Sequence, residues 1–350
     1  MRMREKTRRS SIRTVVAVAA LGLAVAAVAG CGARESSMSN DTKTLKLATD
    51  SGAKGSPAGN AMDRWAELIE TGTNGELDVR VFYQNELGGQ QNLFDLYIAN
   101  DVNLTLNWPM TSYDPRIAVI YTPYMFMDWE NALEAYRPGG WMHALLSTIY
   151  ADLGLMFFGA WPEGFNGVAT KDRYATSVAA AAEMKLTLRA APIFPFPETV
   201  QAMGYQTATI DWGEVYPAIQ MGVVDGDAAN VIYWDYEFFR DVIDFYTHTK
   251  QQFNTGILSI NLQTWGSMSP EHRKVVEDAA MTIMDEGFEN ARARDRFYVE
   301  KAQEAGITYV ELSAEELDAL ARAVRDRIWP MMEERIGRPT MDTVRANTND

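Results

Sequence analysis

Apolar runs that fit strands alternate with helix-like apolar periodicity along the N-terminal part of the chain. Short apolar stretches predict strands at residues 44–49, 77–82 and 102–106. Apolar positions at helical spacing predict helices at residues 60–70 and 90–100. This alternation is typical of an α/β fold with a mostly parallel sheet. Ligands of such sheets lie beyond the carboxyl ends of the strands, so residues 48–51 and Asn107-Trp108 are expected to border a cleft.

The rest of the chain predicts a second lobe and a long helix. We expect lobe I at residues 44–160, completed by parts of 250–340, and lobe II at residues 161–250. A helix start at Ser269-Pro270-Glu271 and a helix end at Gly306 predict one helix over residues 269–305 that spans the lobes. A strand at 307–312 and an amphipathic helix at 314–335 follow. The polar tail at residues 340–350 is expected to be loose.

The first thirty residues have the pattern of an export signal. A leader with six basic side chains precedes an apolar stretch at residues 15–30, which is too short to span a bilayer comfortably. Val28-Ala29-Gly30-Cys31 resembles the lipobox of bacterial lipoproteins, and Cys31 is the only cysteine in the chain. We therefore expect a signal peptide at 1–30, lipidation at Cys31 and a tether at 31–43. Residues 7–13 also resemble a degenerate twin-arginine signal, so the export route stays open.

The charge of the chain limits its partners. The formal net charge is −15, and residues 1–30 carry +5, so the chain that remains after their removal carries −20. Such an acidic protein does not bind nucleic acid by neutralising phosphates. A site for an anion must therefore be local, built from an arginine and backbone donors in a cleft.

One candidate anion site stands out between residues 186 and 226. The apolar run LTLR brings Arg189 to the end of a predicted strand, and an aromatic-rich helix is predicted at residues 212–221, beginning at Trp212. The planar donors of arginine match a carboxylate bidentately, and this pairing is stronger out of water. An arginine beside an aromatic helix start is therefore suited to a small organic carboxylate.

The sequence contains no recognisable catalytic motif. Its three histidines, His143, His248 and His272, are widely separated, and no HExxH, CxxC, GxSxG or P-loop pattern is present. The glycine-rich loop at residues 52–59 matches neither the dinucleotide nor the P-loop spacing. We expect no enzymatic activity, no metal and no redox cofactor.

Residues 214–226, EVYPAIQMGVVDG, resemble a hallmark segment of one protein family. These are the solute-binding proteins of tripartite ATP-independent periplasmic (TRAP) transporters, of the DctP type, whose usual pattern is E-[LV]-Y-x-A-[LI]-Q-x-G-x-V-D-G. Further matching segments occur in the family's order. They are QNELGGQ at 84–90, the proline–aromatic stretch at 121–128, LTLR at 186–189 and WGSMSPEHRKVV at 265–276.

The resemblance implies a two-lobe periplasmic-binding-protein fold whose lobes close about a hinge on a carboxylate. It places Arg189 at the family's carboxylate-binding arginine and Trp212 at its ligand-contacting aromatic residue. After the V-D-G motif the chain has Asp-Ala-Ala-Asn, in which Asn230 is the polar candidate. Many relatives carry a second arginine where this chain has Asn166, and Arg173 does not match its position. Trp108 and Trp234 are further aromatic candidates for the pocket.

We therefore expect a lipid-anchored, extracytoplasmic receptor that captures a small organic acid. The family implies small and large integral-membrane permease subunits as partners, driven by an ion gradient. A binding protein of an ATP-driven importer and, less favoured, a secreted enzyme are the alternatives. The sequence does not name the acid.

Overall fold

The computed structural model describes residues 42–348. The predicted signal peptide, the lipidation site at Cys31 and most of the predicted tether lie outside the described residues. Within the described range, no helix is both long and apolar enough to cross a membrane.

The described part of the chain forms eleven strands and twelve α-helices. The strands are β1 (Lys43–Ala48), β2 (Leu77–Phe82), β3 (Leu104–Asn107), β4 (Leu155–Phe165), β5 (Val168–Thr170), β6 (Thr187–Ala190), β7 (Gln206–Thr209), β8 (Gly226–Asp227), β9 (Phe245–His248), β10 (Phe253–Asn261) and β11 (Thr308–Glu311). The helices are α1 (Pro57–Gly72), α2 (Gln90–Ile98), α3 (Trp129–Tyr136), α4 (Trp141–Asp152), α5 (Val178–Met184), α6 (Phe196–Ala202), α7 (Val215–Gln220), α8 (Ile232–Phe239), α9 (Leu262–Gly266), α10 (Pro270–Glu304), α11 (Ala314–Ile336) and α12 (Arg338–Asn347). Two 3-10 helices span Pro115–Tyr121 and Trp212–Glu214.

The first sheet has the strand order β2-β1-β3-β10-β4. Strand β1 pairs in parallel with β2 and β3, as the strand–helix alternation predicts. Strand β10 pairs antiparallel with both β3 and β4, so the sheet is mixed. The sequence pattern does not reveal β10, because all nine of its residues are buried and its polar and apolar positions do not alternate.

The second sheet has the strand order β11-β9-β5-β8-β6-β7. Strand β6 is parallel to β7 and β8, whereas β5 is antiparallel to β8 and β9. The predicted lobe boundary after residue 160 falls inside β4, which continues in the first sheet to Phe165. The chain enters the second sheet only at Val168.

Helix α10 confirms the predicted long helix to within a residue at each end. The Ser269 side chain accepts a hydrogen bond from the His272 backbone N–H at 3.1 Å and so caps the first turn. The helix packs along β4, where Gly287 lies against the indole of Trp161. A helix of this length therefore gains its stability from packing against the first sheet.

The predicted loose tail is instead helical up to Asn347. Residues 338–347 form α12, and Met341 and Val344 on its inner face are fully buried. These apolar residues are three positions apart, which places both on one side of the helix. The polar residues around them conceal this short pattern in the sequence.

We expect Gly287→Ala to destabilise the fold. A Cβ at this position would lie 2.6 Å from Cδ1 of Trp161, whose ring is buried and covered by the Arg294 guanidinium at 4.2 Å. Overpacking of this kind costs about 1–3 kcal/mol, against a helix-propensity gain of about 1 kcal/mol. Urea unfolding measures the difference. Gly266→Ala is the matched control, because nothing lies within 4 Å of its Cβ; equal stability changes in the two variants would contradict the packing argument.

Candidate functional site

A cavity with about 450 Å³ of empty space, partly open to solvent, lies beyond the carboxyl ends of β1, β3 and β6. This is the position that the strand pattern predicts for a ligand. Its lining residues are Ser51, Gln90, Trp108, Tyr121, Arg189, Ala191, Ile193, Phe196, Trp212, Ala229, Asn230, Trp234 and Asn254. Most are apolar or aromatic, with a few polar groups, which is the composition of small-molecule sites.

Arg189 enters this cavity from β6 and is 2% exposed. Its Nε donates to the backbone oxygen of Ile210 at 2.9 Å, and its Nη1 donates to Oδ1 of Asp227 at 3.1 Å. The other terminal nitrogen, Nη2, has no hydrogen-bond partner among the described residues. The guanidinium is thus held rigidly on two sides and keeps one pair of N–H donors for an anion.

Asp227 and Asp235 form a buried acidic pair behind Arg189. The second carboxyl oxygen of Asp227 accepts a hydrogen bond from the Ala229 backbone N–H at 2.9 Å. Burial and the neighbouring charge of Asp227 raise the pKa of Asp235 well above its ordinary value. Asp227 therefore balances the charge of Arg189, while Asp235 favours its neutral form.

Trp212 lies beside Arg189, with the guanidinium carbon 6.0 Å from the centre of its ring. Its indole Nε1 is buried and has no hydrogen-bond partner among residues 42–348. An unpaired buried donor in a cavity wall is costly unless a ligand accepts from it. Trp212 and the free Nη2 of Arg189 thus place hydrogen-bond donors on one side of the cavity.

Three tryptophans form a continuous wall of the cavity. The rings of Trp212 and Trp234 are 5.6 Å apart at 76°, and those of Trp234 and Trp108 are 5.5 Å apart at 83°. Edge-to-face contacts of this kind are favourable for aromatic pairs. Because successive rings are nearly perpendicular, the wall presents ring faces in different directions.

Glu163 on β4 holds much of this wall in place from behind. Its Oε1 accepts hydrogen bonds from the Tyr233 hydroxyl at 2.5 Å and from Trp234 Nε1 at 2.8 Å. Its Oε2 accepts from Trp108 Nε1 at 2.9 Å and from Asn254 Nδ2 at 2.8 Å. Burial raises the pKa of Glu163 to about 7, although these donors and the charge of Arg294 lower it. Sequence reasoning missed this residue, whose only signal is one acid inside the apolar run of β4.

The structure brings five of the seven predicted ligand-site residues together and separates two from them. Arg189, Trp212, Asn230, Trp108 and Trp234 line the cavity. Asn166 is buried outside the lining, where its Nδ2 donates to the backbone oxygen of Ala229 at 2.9 Å. Arg173 is exposed in the turn after β5 and does not line the cavity.

Gln90 and Tyr121 are among the lining residues that were not expected from the sequence. Ser51 belongs to the segment 48–51 that was expected to border a cleft, and Asp50 of that segment lies behind the lining. Asp50 follows β1 and accepts from Gln90 Nε2 at 2.9 Å and from the Trp108 backbone N–H at 3.3 Å. Gln90 lies at the start of α2, and Tyr121 ends a 3-10 helix. These residues meet only in the folded chain.

Among the described residues, no group of His, Cys, Asp and Glu side chains is arranged to hold a metal ion.

We expect Glu163→Gln to remove a pH-dependent contribution to stability. In wild type, the unfolded glutamate loses its proton near pH 4.5 but the folded one near pH 7. The folded state therefore binds the extra proton in this window, and the free energy of unfolding decreases as pH rises through it. Urea unfolding across pH 4.5–7.5 should show that the stability difference, wild type minus Glu163→Gln, decreases with pH.

The exposed Glu134→Gln variant on α3 is the control for this measurement, and its difference from wild type should not follow the same curve. In Glu163→Gln, the new side-chain NH2 group faces an N–H donor of the tryptophan wall. This lowers the free energy of unfolding by an amount that does not depend on pH. Parallel stability curves for wild type and Glu163→Gln would contradict the raised pKa.

Comparison with known proteins identifies relatives along most of the chain. A family model described as bacterial extracellular solute-binding protein, family 7, matches residues 48–335. The ectoine-binding periplasmic protein TeaA of Halomonas elongata is 25% identical over 301 residues, which cover 83% of this chain and 86% of that protein. The C4-dicarboxylate-binding periplasmic protein DctP of Rhodobacter capsulatus is 25% identical over 301 residues, covering 85% and 88%.

Solved structures confirm the fold. A TRAP periplasmic solute-binding protein from Sulfurospirillum deleyianum with bound succinate superposes with a TM-score of 0.79 at 20% identity, covering 88% of this chain and 99% of that one. The resemblance to TRAP solute-binding proteins is thereby confirmed, as is the α/β fold. The protein is accordingly an extracytoplasmic binding receptor rather than an enzyme. With the family model matching residues 48–335, the chain belongs to the bacterial extracellular solute-binding proteins of family 7.

Proposed function

We propose that this receptor binds its organic acid in the cavity described above, with Arg189 as the carboxylate anchor. The observation that carries the proposal is the free Nη2 of a buried arginine whose other nitrogens are fixed by Ile210 and Asp227. A desolvated arginine held in this way binds a carboxylate by charge-assisted hydrogen bonds without a further cost of ordering. Trp212 adds a second donor from its Nε1.

Other lining residues contact the body of the acid in this proposal. Trp108 and Trp234 supply apolar surface, and Asn230 lies at the Arg189 side of the cavity. Asn230 Nδ2 donates to Asp235 at 2.9 Å, which leaves its side-chain oxygen for the acid or for water. Asn166 acts indirectly, by fixing the backbone of Ala229, and Arg173 has no part in the site.

The relatives support a carboxylate without naming one. TeaA is an ectoine-binding protein, DctP is a C4-dicarboxylate-binding protein, and the Sulfurospirillum protein holds succinate. Each of these compounds carries at least one carboxylate. At identities of 25% or below, the remainder of each ligand does not transfer to this chain.

Transport follows from capture and release. The two sheets would move as lobes about a hinge, and the carboxylate would favour the closed arrangement through the extra contacts made there. The closed receptor would deliver the acid to the small and large integral-membrane permease subunits. A lipid on Cys31 would keep the receptor at the membrane surface, tethered by residues 31–43.

Removing the Arg189 charge should abolish carboxylate binding. Arg189→Met alone leaves Asp227 buried and unpaired, which destabilises a fold by several kcal/mol, so the test uses the double variant Arg189→Met/Asp227→Asn. A thermal-shift screen of monocarboxylates, dicarboxylates and amino acids first selects a compound that stabilises wild type, by about 2.7 kcal/mol at 100 times its Kd. Titration calorimetry should then show at least a hundredfold loss of affinity for that compound in the double variant, equivalent to about 2.7 kcal/mol.

Asp227→Asn is the matched control for this pair of substitutions. It keeps the guanidinium, its bond to the Ile210 oxygen and one of the two acceptor oxygens at position 227, and so should still bind the selected compound. Retained affinity in Arg189→Met/Asp227→Asn would refute Arg189 as the anchor.

Lipidation has its own test. Cys31→Ala in the full-length chain, expressed in a Gram-negative host, should move the protein from the membrane fraction to the soluble extracytoplasmic fraction. The physical reason is the loss of acyl chains, each buried methylene of which contributes about 0.8 kcal/mol of membrane affinity. Cell fractionation and immunoblotting measure the change, with wild type as the control. A Cys31→Ala protein that still sediments with membranes would argue against the anchor.

A further inference from the structure

The charges around the cavity are unevenly paired. Arg189 is the only charged side chain among the described residues that line it, and Asp227 already balances this charge at 3.1 Å. Behind the tryptophan wall, the charge of Arg294 acts on Glu163. Asp235 behind Arg189 favours its neutral form. Asp50 is then the carboxyl group that no neighbouring positive charge matches.

Asp50 is 1% exposed and has only neutral partners within residues 42–348. Its carboxyl oxygens accept from Gln90 Nε2 at 2.9 Å, from Ser51 Oγ at 3.2 Å and from the Trp108 backbone N–H at 3.3 Å. All three partners belong to lining residues, so Asp50 lies directly behind the cavity wall. Burial raises the pKa of this carboxyl group, and a cation in the cavity would stabilise its ionised form.

Gln90 presents an unused acceptor on the same side. Its Oε1 is buried and has no hydrogen-bond partner among the described residues, because its Nε2 is the atom that binds Asp50. A buried acceptor without a donor costs free energy that a ligand N–H would recover. A complementary ligand therefore has a hydrogen-bond donor at this side of the cavity and a hydrogen-bond acceptor at the side of Arg189 and Trp212.

The tryptophan wall offers little to a second carboxylate. The Nε1 donors of Trp108 and Trp234 are both directed to Glu163, as is Nδ2 of Asn254. A second anionic group would thus find these donors already engaged and a carboxyl group behind them. The face of an indole ring, by contrast, attracts a cation, and Trp has the strongest such attraction among the aromatic side chains.

We propose that the cavity selects a zwitterion, with its carboxylate at Arg189 and a positively charged nitrogen directed to Gln90, Asp50 and the tryptophan wall. This inference rests on the proposed function, in which Arg189 binds a carboxylate. A zwitterion adds no net charge to a site in which Asp227 already balances Arg189. A dicarboxylate adds two negative charges beside Asp50 and Glu163, and a carboxylate with an uncharged body leaves Gln90 Oε1 without a donor.

Isosteric compounds that differ only in the charge of one end test the inference. One series is 4-aminobutyrate, pentanoate and glutarate, in which the same chain ends in an ammonium, a methyl or a second carboxylate group. The other is trimethylglycine and 3,3-dimethylbutanoate, which exchange a quaternary nitrogen for carbon. Titration calorimetry at neutral pH should give zwitterions that bind about tenfold tighter than their uncharged isosteres, with glutarate the weakest.

Two variants test which residues cause the preference for a zwitterion over its uncharged isostere. Asp50→Asn should weaken zwitterion binding about tenfold while changing the affinity for the uncharged isostere less than about threefold. Gln90→Met, which removes the free acceptor, should reduce the preference for 4-aminobutyrate over pentanoate, because the ammonium group can donate to that acceptor and the quaternary nitrogen of trimethylglycine cannot. Glu300→Gln, on the exposed side of α10, is the control for lost negative charge and should change neither affinity.

The outcomes separate this inference from the proposed function. If pentanoate or glutarate binds as tightly as 4-aminobutyrate, and binding still requires Arg189, the zwitterion inference is overturned and the carboxylate anchor stands. If binding survives Arg189→Met/Asp227→Asn, the anchor itself is wrong. An equal loss for zwitterion and isostere in a folded Asp50→Asn protein would give Asp50 a structural role only, and would also overturn the inference.

Discussion

The buried carboxyl group of Glu163 joins the parts of the structure that form the ligand cavity. It lies on β4 and binds Trp108 after β3, Tyr233 and Trp234 on α8, and Asn254 on β10. Taking a carboxylate out of water costs several kcal/mol, which is offset only when its lone pairs are filled and a countercharge is near. Four donors and the charge of Arg294 offset part of that cost, and burial still raises the pKa of Glu163 to about 7. The tryptophan wall thus has fixed ring positions before any solute arrives.

Arg189 and Glu163 are both buried ionisable residues, but they differ in how many of their hydrogen-bonding groups the protein fills. Glu163 is fully satisfied by the protein and therefore acts as a positioning residue. Arg189 is satisfied on Nε and Nη1 but keeps Nη2 free, so its remaining hydrogen-bonding capacity is available to a solute. A preorganised but incompletely paired cation binds with little reorganisation. In the proposed function, Glu163 therefore fixes the tryptophan wall and Arg189 binds the solute.

The sequence predicted the elements whose signals are local. Strands β1 and β2 and helix α10 were found because their apolar periodicity and caps lie within the elements themselves. Strand β10 was missed, because its buried polar residues are satisfied by distant partners, as in the bond from Tyr97 Oη to Ser259 Oγ at 2.8 Å. The predicted lobe boundary falls inside β4 for a related reason, because the strand continues through Glu163, whose hydrogen-bond partners lie on other elements.

The same division explains why motifs indicated the carboxylate end of the site but not the rest. Arg189 and Trp212 belong to segments with a recognisable local pattern, whereas Asp50, Gln90 and Glu163 come from separate elements between residues 50 and 163. Their roles arise from contacts across the fold, such as the bond from Gln90 to Asp50, 40 positions apart in sequence. Single substitutions at such scattered positions can therefore change the charge that faces the other end of the cavity without altering the segment that carries Arg189. In the proposed site, the choice of solute accordingly depends on the groups that the fold leaves without a hydrogen-bond partner among the described residues, which are Arg189 Nη2 and Gln90 Oε1.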